Sequence, residues 1–310
     1  MVTSLNPSQV RVIDPVLSTV VQGYKNPKVV GFSLFPRVNV QVSGGQIIEF
    51  GKEAFVVSNL RRSPGAATKR VNFGYLGKPY SLVQDAIECL VPYEYMRDAS
   101  IVPGIDLASK ALNLGMQKTS LPLEIEQATL ACNAANYPAA NKITLSGTSK
   151  WSDPTCNIGK QIDDGKEAIR AQTGAYPNTI VLSATAFRAA KNNPLVIDRF
   201  KYTSKESVTA EMLAGLWELD KVEVGTAISS TDGVTTTDVW GNNAVLAYVP
   251  QIPTTMEEPS YGYTYVMEGH PFVRSPYQDE NIQSWVYGVN YERQAVLSGI
   301  VSGYLFINPN

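Results

Sequence analysis

Between Leu107 and Cys132, eight positions recur at steps of 4, 3, 4, 3, 4, 3 and 4: Leu107, Ala111, Leu114, Lys118, Leu121, Ile125, Ala128 and Cys132. All are apolar or small except Lys118. Such a stripe fits one face of an α-helix and no β-strand, whose side chains alternate with a period of two. Pro122 lies inside it. A proline there removes one backbone hydrogen bond and crowds the preceding turn, at about 3 kcal/mol in an isolated helix. The spacing therefore predicts one long, bent helix, or two in series, ending near the ANYPAAN of residues 135–141. The run is shorter than four heptads, which favours a helix turning its stripe toward a core over a coiled coil.

The rest of the chain excludes chemistry more readily than it assigns any. Its 310 residues, 44% hydrophobic and 17% charged, suffice for one large or two smaller globular cores. A formal net charge of −2 gives no reason to expect nucleic-acid binding by bulk electrostatics. Its one histidine, His270 in EGHPFV, would have to serve any histidine-dependent triad, yet no Gly-x-Ser-x-Gly elbow exists. It reads as a loop residue before Pro271. Cys89, Cys132 and Cys156 are odd in number and far apart, which argues against a disulfide framework and suits a reducing cytosol. No Cys-x-x-Cys or His-x-x-x-His spacing offers a zinc site. GYLGKPY, residues 74–80, fails as a phosphate loop because Pro79 replaces the Ser or Thr. Asp163-Asp164 and Glu257-Glu258 are paired only in sequence, and helical neighbours point apart, so the first pair reads as a solvated face. No cofactor, metal or catalytic residue is expected. The start, MVTSLNPSQV, lacks the regions of a secretion signal, and no apolar run approaches the roughly 18 residues of a membrane helix.

Before the long helix, residues 1–35 carry little helical period, and four prolines punctuate residues 5–36. Such an arm cannot bury Val16, Leu17, Val20, Val21, Phe32 and Leu34 by itself and needs another surface. Residues 38–57 and 67–83 read as two strand-rich limbs around a polar tip, SNLRRSPGA. They carry Lys52, Arg61, Arg62, Lys69, Arg70 and Lys78 against Glu49 and Glu53. A hairpin of that length is marginal in water unless its face is covered.

After the helix, residues 150–262 alternate helices and strands. Asp153-Pro154 is a plausible helix start and Gly174 its stop. Thr179–Leu182 forms a short strand, Ser183 caps a helix, and Asn192-Asn193-Pro194 ends it. The turn SATAF has no glycine to bare its amides to a phosphate, so this is not a nucleotide site. Thr209, with Glu211 behind it, starts another helix. KVEVGTAI and NNAVLAYVP read as strands, and so do YGYTYVM, IQSWVYGV and QAVLSGIVSGYLF, whose partners must lie far back in the chain.

This order of elements, with LFPRVNVQVSGGQIIEFGKEAF, GAYPNTIVLSATAFRAAKNNPLVIDRFKY and ELDKVEVGTAI followed by DVWGNNAVLAYVP, resembles the major capsid proteins of tailed bacteriophages. These have the Hong Kong 97-type shell fold, which encapsulins share. The resemblance implies an α+β fold with an N-terminal arm (1–35), an extended loop (36–82), a peripheral domain with a spine helix (83–150), an axial domain (151–262) and closing strands returning to the peripheral domain (263–310). It implies a structural, non-enzymatic protein that assembles into an icosahedral head around double-stranded DNA. Its partners would be further copies of itself in hexamers and pentamers, a separate scaffolding protein, a portal and, in some members, decoration proteins. DNA would touch the inside weakly, and no membrane is involved. The virion would be its location after synthesis in the host cytoplasm. On this reading Lys52, Arg61, Arg62, Lys69 and Arg70 face Glu257 and Glu258 of a neighbour, and Val16, Leu17, Val20 and Phe32 supply the arm's apolar contacts. An encapsulin-like compartment with protein cargo, and a cytosolic hydrolase using distributed carboxylates, are the alternatives.

Overall fold

A computed structural model describes residues 29–46, 61, 79–101, 106–201, 207–250 and 260–310. Mixed helix and sheet give an α+β architecture around two large sheets and one long helix. The first sheet is built on β14 (Ser284–Leu297). Along one edge β4 (Val83–Pro92) pairs antiparallel through its whole length, from Val83 opposite Arg293 to Pro92 opposite Ser284. Along the other edge β11 (Gly262–Met267), β12 (Phe272–Val273) and β13 (Tyr277–Asp279) follow one another, each antiparallel to β14. β1 (Arg37–Val40) runs parallel to β11. β4 alternates, with Cys89 and Val91 buried and Val83 and Leu90 exposed, so one of its faces looks inward.

In the second sheet the order is β5 (Lys142–Thr144), β15 (Gly303–Ile307), β10 (Asn243–Ala247), β6 (Thr179–Ser183) and β7 (Lys221–Gly225). β6 is buried at every position. Its alternate side chains serve two cores. Ile180 and Leu182 join Ile158, Ile162, Ile169 and Ala190 beneath the helices α3 (Ile158–Thr173) and α4 (Ala184–Asn192). Val181 joins Leu34, Phe35, Ala128 and Trp240 on the other side. A strand covered on both faces reads as an unbroken apolar run, as TIVLS does. Ser183 caps α4 by accepting from Ala186 N at 3.2 Å, and Asn193 both ends α4 and caps α5 (Pro194–Phe200). Thr209 caps α6 (Ala210–Leu216) by accepting from Met212 N at 3.3 Å. Gly174 ends α3 at φ 73°, where any other residue would be strained. The start of α3 comes later than Asp153-Pro154 predicts. Asp153 instead closes a turn by accepting from Thr155 N, and Asn157 is the cap.

The long helix α2 (Leu107–Cys132) is continuous through Pro122, not split. Asp106 caps it through Ala108 N and Ser109 N. Pro122 is exposed, so the carbonyl it leaves unpaired four residues back faces water at little cost. A shorter helix, α1 (Tyr93–Ile101), precedes it. α2 bridges the sheets. Leu112 and Met116 pack on Cys89, Val91, Val273 and Val289 of the first sheet, while Ala128 and Ala131 pack on Val245 and Leu305 of the second.

The stripe read from the sequence is not the face that α2 buries. In the helix's middle the buried positions are Leu112, Gly115, Met116, Thr119, Ser120, Leu123, Glu124 and Gln127. Of the predicted eight, only Ala111 and Ala128 are buried, and Leu114 is 53% and Ile125 37% exposed. Close approach decides this: a Cβ on Gly115 would lie 3.2 Å from Cys89 Sγ and 3.4 Å from Val289 Cγ2, so only a small residue fits there. The closing strands also divide. β11 and β14 join the first sheet, but β15 enters the second, between β5 and β10.

These burials make a paired prediction. Leu112→Ala should lower unfolding free energy by about 2–5 kcal/mol, whereas Leu114→Ala should change it by less than about 1 kcal/mol. Urea titrations of the two variants would read the difference, and equal losses would contradict the helix orientation.

Candidate assembly surface

The chain enters its folded body at residues 29–40, and a buried carboxylate fixes where. Glu124 on α2 is fully buried and accepts from Val30 N at 3.1 Å, Gly31 N at 2.9 Å and Trp240 Nε1 at 2.7 Å. Burial pushes its carboxyl up, and the three donors pull the other way. One turn on, Gln127 donates to Thr264 Oγ1 at 2.8 Å, and that hydroxyl donates to Phe35 O at 3.0 Å. A Cβ on Gly31 would stand 2.0 Å from Gln127 Oε1 and 2.8 Å from Glu124 Oε2, so a larger residue would displace this network. With the backbone pinned, Leu34 and Phe35 are fully buried, and Phe32 packs on Leu123, Val266, Tyr291 and Ala295.

A second polar junction ties β14 to β4 and α2. Arg293, 3% exposed, donates to Asp85 Oδ2 at 2.6 Å, Glu126 Oε2 at 3.1 Å and Thr119 O at 3.2 Å, beside the Tyr291 ring. His270 lies in the turn between β11 and β12, its ring edge-on to Phe272. Among the described residues neither ring nitrogen has a hydrogen-bond partner, while Arg37 donates to the His270 carbonyl at 3.4 Å and to Tyr291 Oη at 3.1 Å. Burial holds His270 below its ordinary value near 6.5, against the opposing pull of the neighbouring Glu268 and Met267 backbone and the Glu292 charge.

Beyond β1 the strands β2 (Gly44–Gln46) and β3 (Pro79–Ser81) pair only with each other among the described residues. They form the root of a two-stranded ribbon. Leu82 N donates to Ser43 O at 2.8 Å, and the Tyr80 ring stacks on Tyr265 at 4.7 Å, so the root is held to the first sheet. A second projection is the hairpin of β8 (Ile228–Ser229) and β9 (Thr237–Asp238). Asp232 shapes its tip by accepting from Val234 N and Thr235 N, and Val234 is 85% exposed. A cleft of about 600 Å³ beside α3 gathers Asp163, Asp164, Glu167 and Glu218 around Lys166 and Tyr176. Asp163 and Asp164 are exposed, as their sequence suggests, and no nucleophile or histidine joins them. Among the described residues no cluster is arranged to hold a metal, and no helix is long and apolar enough to cross a membrane.

Of the contact residues expected from sequence, Arg61 is described and exposed. Lys52, Arg62, Lys69, Arg70, Glu257, Glu258, Val16, Leu17 and Val20 lie outside the described residues. Phe32 and Leu34 differ from expectation. Their own α2 and sheets cover them, because the Glu124 anchor holds that end of the arm against the body. Sequence reading missed Glu124, Gln127 and Arg293. For Glu124 and Gln127 the available signal was a run of polar residues at steps of three and four, Ser120, Glu124 and Gln127, within an apolar helix.

The chain matches the family model described as phage major capsid protein E over residues 136–281. It is 36% identical over 307 residues to the major capsid protein of Burkholderia phage BcepMu, covering 98% of each. A crystal structure of a phage-related protein from Bordetella bronchiseptica is similar at 46% identity and a TM-score of 0.83, over 97% of this chain and 98% of that one. The capsid structure of Cyanophage P-SCSP1u shares the fold at 10% identity and a TM-score of 0.59, over 92% and 89% of the two chains.

Two outcomes are expected at these junctions. Glu124→Ala strands three donors and should cost about 2–5 kcal/mol, with Trp240→Phe costing about 1–2 kcal/mol, measured by chemical denaturation. At His270 the unfolded chain takes up its proton near pH 6.5 while the folded chain resists it, so stability falls as pH drops below that value. His270→Phe should therefore lose less melting temperature than the native protein between pH 7 and pH 5. Parallel calorimetric curves would contradict this.

Proposed function

This chain belongs to the phage major capsid proteins, and from that premise we propose how its parts build a shell. It is a structural protein of the icosahedral capsid. Copies assemble, as hexamers and pentamers, into a head that encloses double-stranded DNA, and its curated relatives, phage capsid proteins, favour this over a compartment for protein cargo. The two sheets divide the labour. β4, β11, β14 and α2 form the peripheral domain, and β6, β7 and β10 with α3 to α6 form the axial domain, tied to the closing segment through β15. Residues up to about 28 are the arm proper, since the chain is pinned to its own body from Val30 onward.

The observation that carries this reading is the ribbon root. β2 and β3 pair with each other, Tyr80 and Leu82 tie them to the body, and residues 47–78 join them in sequence. A ribbon projecting with that many basic residues is suited to lie across a neighbouring copy. Lys52, Arg61, Arg62, Lys69 and Arg70 would meet Glu257 and Glu258 of that copy, and Val16, Leu17 and Val20 of the arm would supply apolar burial. Exposed ion pairs contribute only about 0.2–1 kcal/mol each, so they set register while apolar area supplies affinity. Obligate interfaces of this sort typically bury more than about 2,000 Å². A scaffolding protein and a portal would complete assembly, decoration proteins would be optional, and DNA would be touched weakly. The protein would be made in the host cytoplasm and end in the virion.

Deleting Leu60–Thr68 should leave subunits that fold, by circular dichroism, yet form no closed particles by electron microscopy. Normal shells from that variant would remove the extended-loop assignment.

A further inference from the structure

α2 buries Leu112, Met116 and Leu123 together with its small and polar residues, yet leaves part of its apolar surface outside. Leu114 is 53% and Ile125 37% exposed, and Leu121 between them is half-buried. Leu114 and Leu121 stand seven residues apart and Ile125 four further on, so they line one edge of the helix. Lys110 and Lys118, each four residues from Leu114, are exposed and form no ion pair with a described residue. Asp106, the exposed cap of this helix, precedes Lys110 by four residues, while Glu124 is buried and Glu126 is engaged by Arg293, so no carboxylate of the helix lies within four residues of Lys118. The seam is thus apolar, helical in spacing and basic at Lys110 and Lys118.

We propose that this outward face of α2 docks an acidic amphipathic helix of a separate protein. The inference rests on the assembly reading only for when that protein would be present. An apolar stripe seven residues in repeat is matched by another helix laid along it, whose side chains fill the spaces between Leu114, Leu121 and Ile125. Flanking carboxylates on that helix would meet Lys110 and Lys118 and fix its register. A second copy of this chain fits less well. Two α2 faces apposed would bring their lysines together, and α3 exposes Lys160 and Arg170 among Asp163, Asp164 and Glu167 with no large apolar residue among them. Duplex DNA would satisfy the lysines and leave the leucines without a partner.

The probe is a fluorescein-labelled synthetic peptide of about three heptads, with leucines at its core positions and glutamates flanking them, titrated with full-length subunits. Anisotropy should rise saturably, and affinity should fall by roughly tenfold or more for L114E/I125E, for K110E/K118E and for a lysine-flanked peptide. Should L114E/I125E fail to fold by circular dichroism, K110E/K118E decides, since both lysines are on the surface. No binding, or equal binding by both peptides or by the variants, overturns the proposal. So does duplex DNA binding that K110E/K118E abolishes while the peptide stays silent. Copy-to-copy crosslinks through L114C in particles would assign the face to a second copy instead. Subunits that form shells but ignore the peptide sink this inference alone. Subunits that bind it, while the Leu60–Thr68 deletion still closes shells, sink the assembly reading alone.

Discussion

A single carboxylate with three donors sets the geometry of this subunit. Glu124 takes two backbone amides from the incoming chain and the indole N–H of Trp240, which lies just ahead of β10. A charge so deeply buried is tolerated only when its oxygens are fully engaged, and here the engagement joins three segments distant in sequence. Because the anchor sits on α2, the point at which the chain joins the body is fixed relative to both sheets. β1 then follows in register with β11, from Arg37 opposite Thr264 to Val40 opposite Met267. The direction in which the ribbon of β2 and β3 departs is inherited from that pairing.

The same helix explains why the subunit is suited to a shell. Its inward face combines Leu112, Met116 and Leu123 with Gly115, Thr119, Glu124 and Gln127, which hold the sheets by close approach and hydrogen bonds. Leu114 and Ile125 are left outside, together with the Val234 hairpin. Arg293 reinforces this by bonding Asp85 and Glu126, so that β4, β14 and α2 move as one body. Rigidity within the subunit and unsatisfied surface outside it are two results of one arrangement.

Much of the fold was legible in the residues. TIVLS, the Ser183 cap, the Asn193 stop, Thr209 and Gly174 all act as their chemistry predicts, because caps and left-handed stops are decided within a few residues of chain. The run Leu107–Cys132 was rightly helical. Its orientation was not legible, since the period of a stripe gives the helix but not which side finds a partner. β4 escaped notice because Gln84 and Glu88 alternate with Ala86, Ile87 and Leu90 in no clean pattern, and only pairing with β14 makes it a strand. β15 resembled its neighbours in sequence, yet its register with β10 places it in the other sheet.

The sequence by itself determined that residues 107–132 form one long helix and that helices and strands alternate after it. Those follow from period, turn chemistry and composition, which act over short distances along the chain. Tertiary structure alone decided which side of α2 is core, which sheet receives the last strand, and where the arm becomes part of the body. Each of those depends on contacts between segments tens to hundreds of residues apart. There, close packing at Gly115 and the need to satisfy a buried Glu124 set the orientation of α2, which buries Leu112 and Leu123 and leaves Leu114 outside.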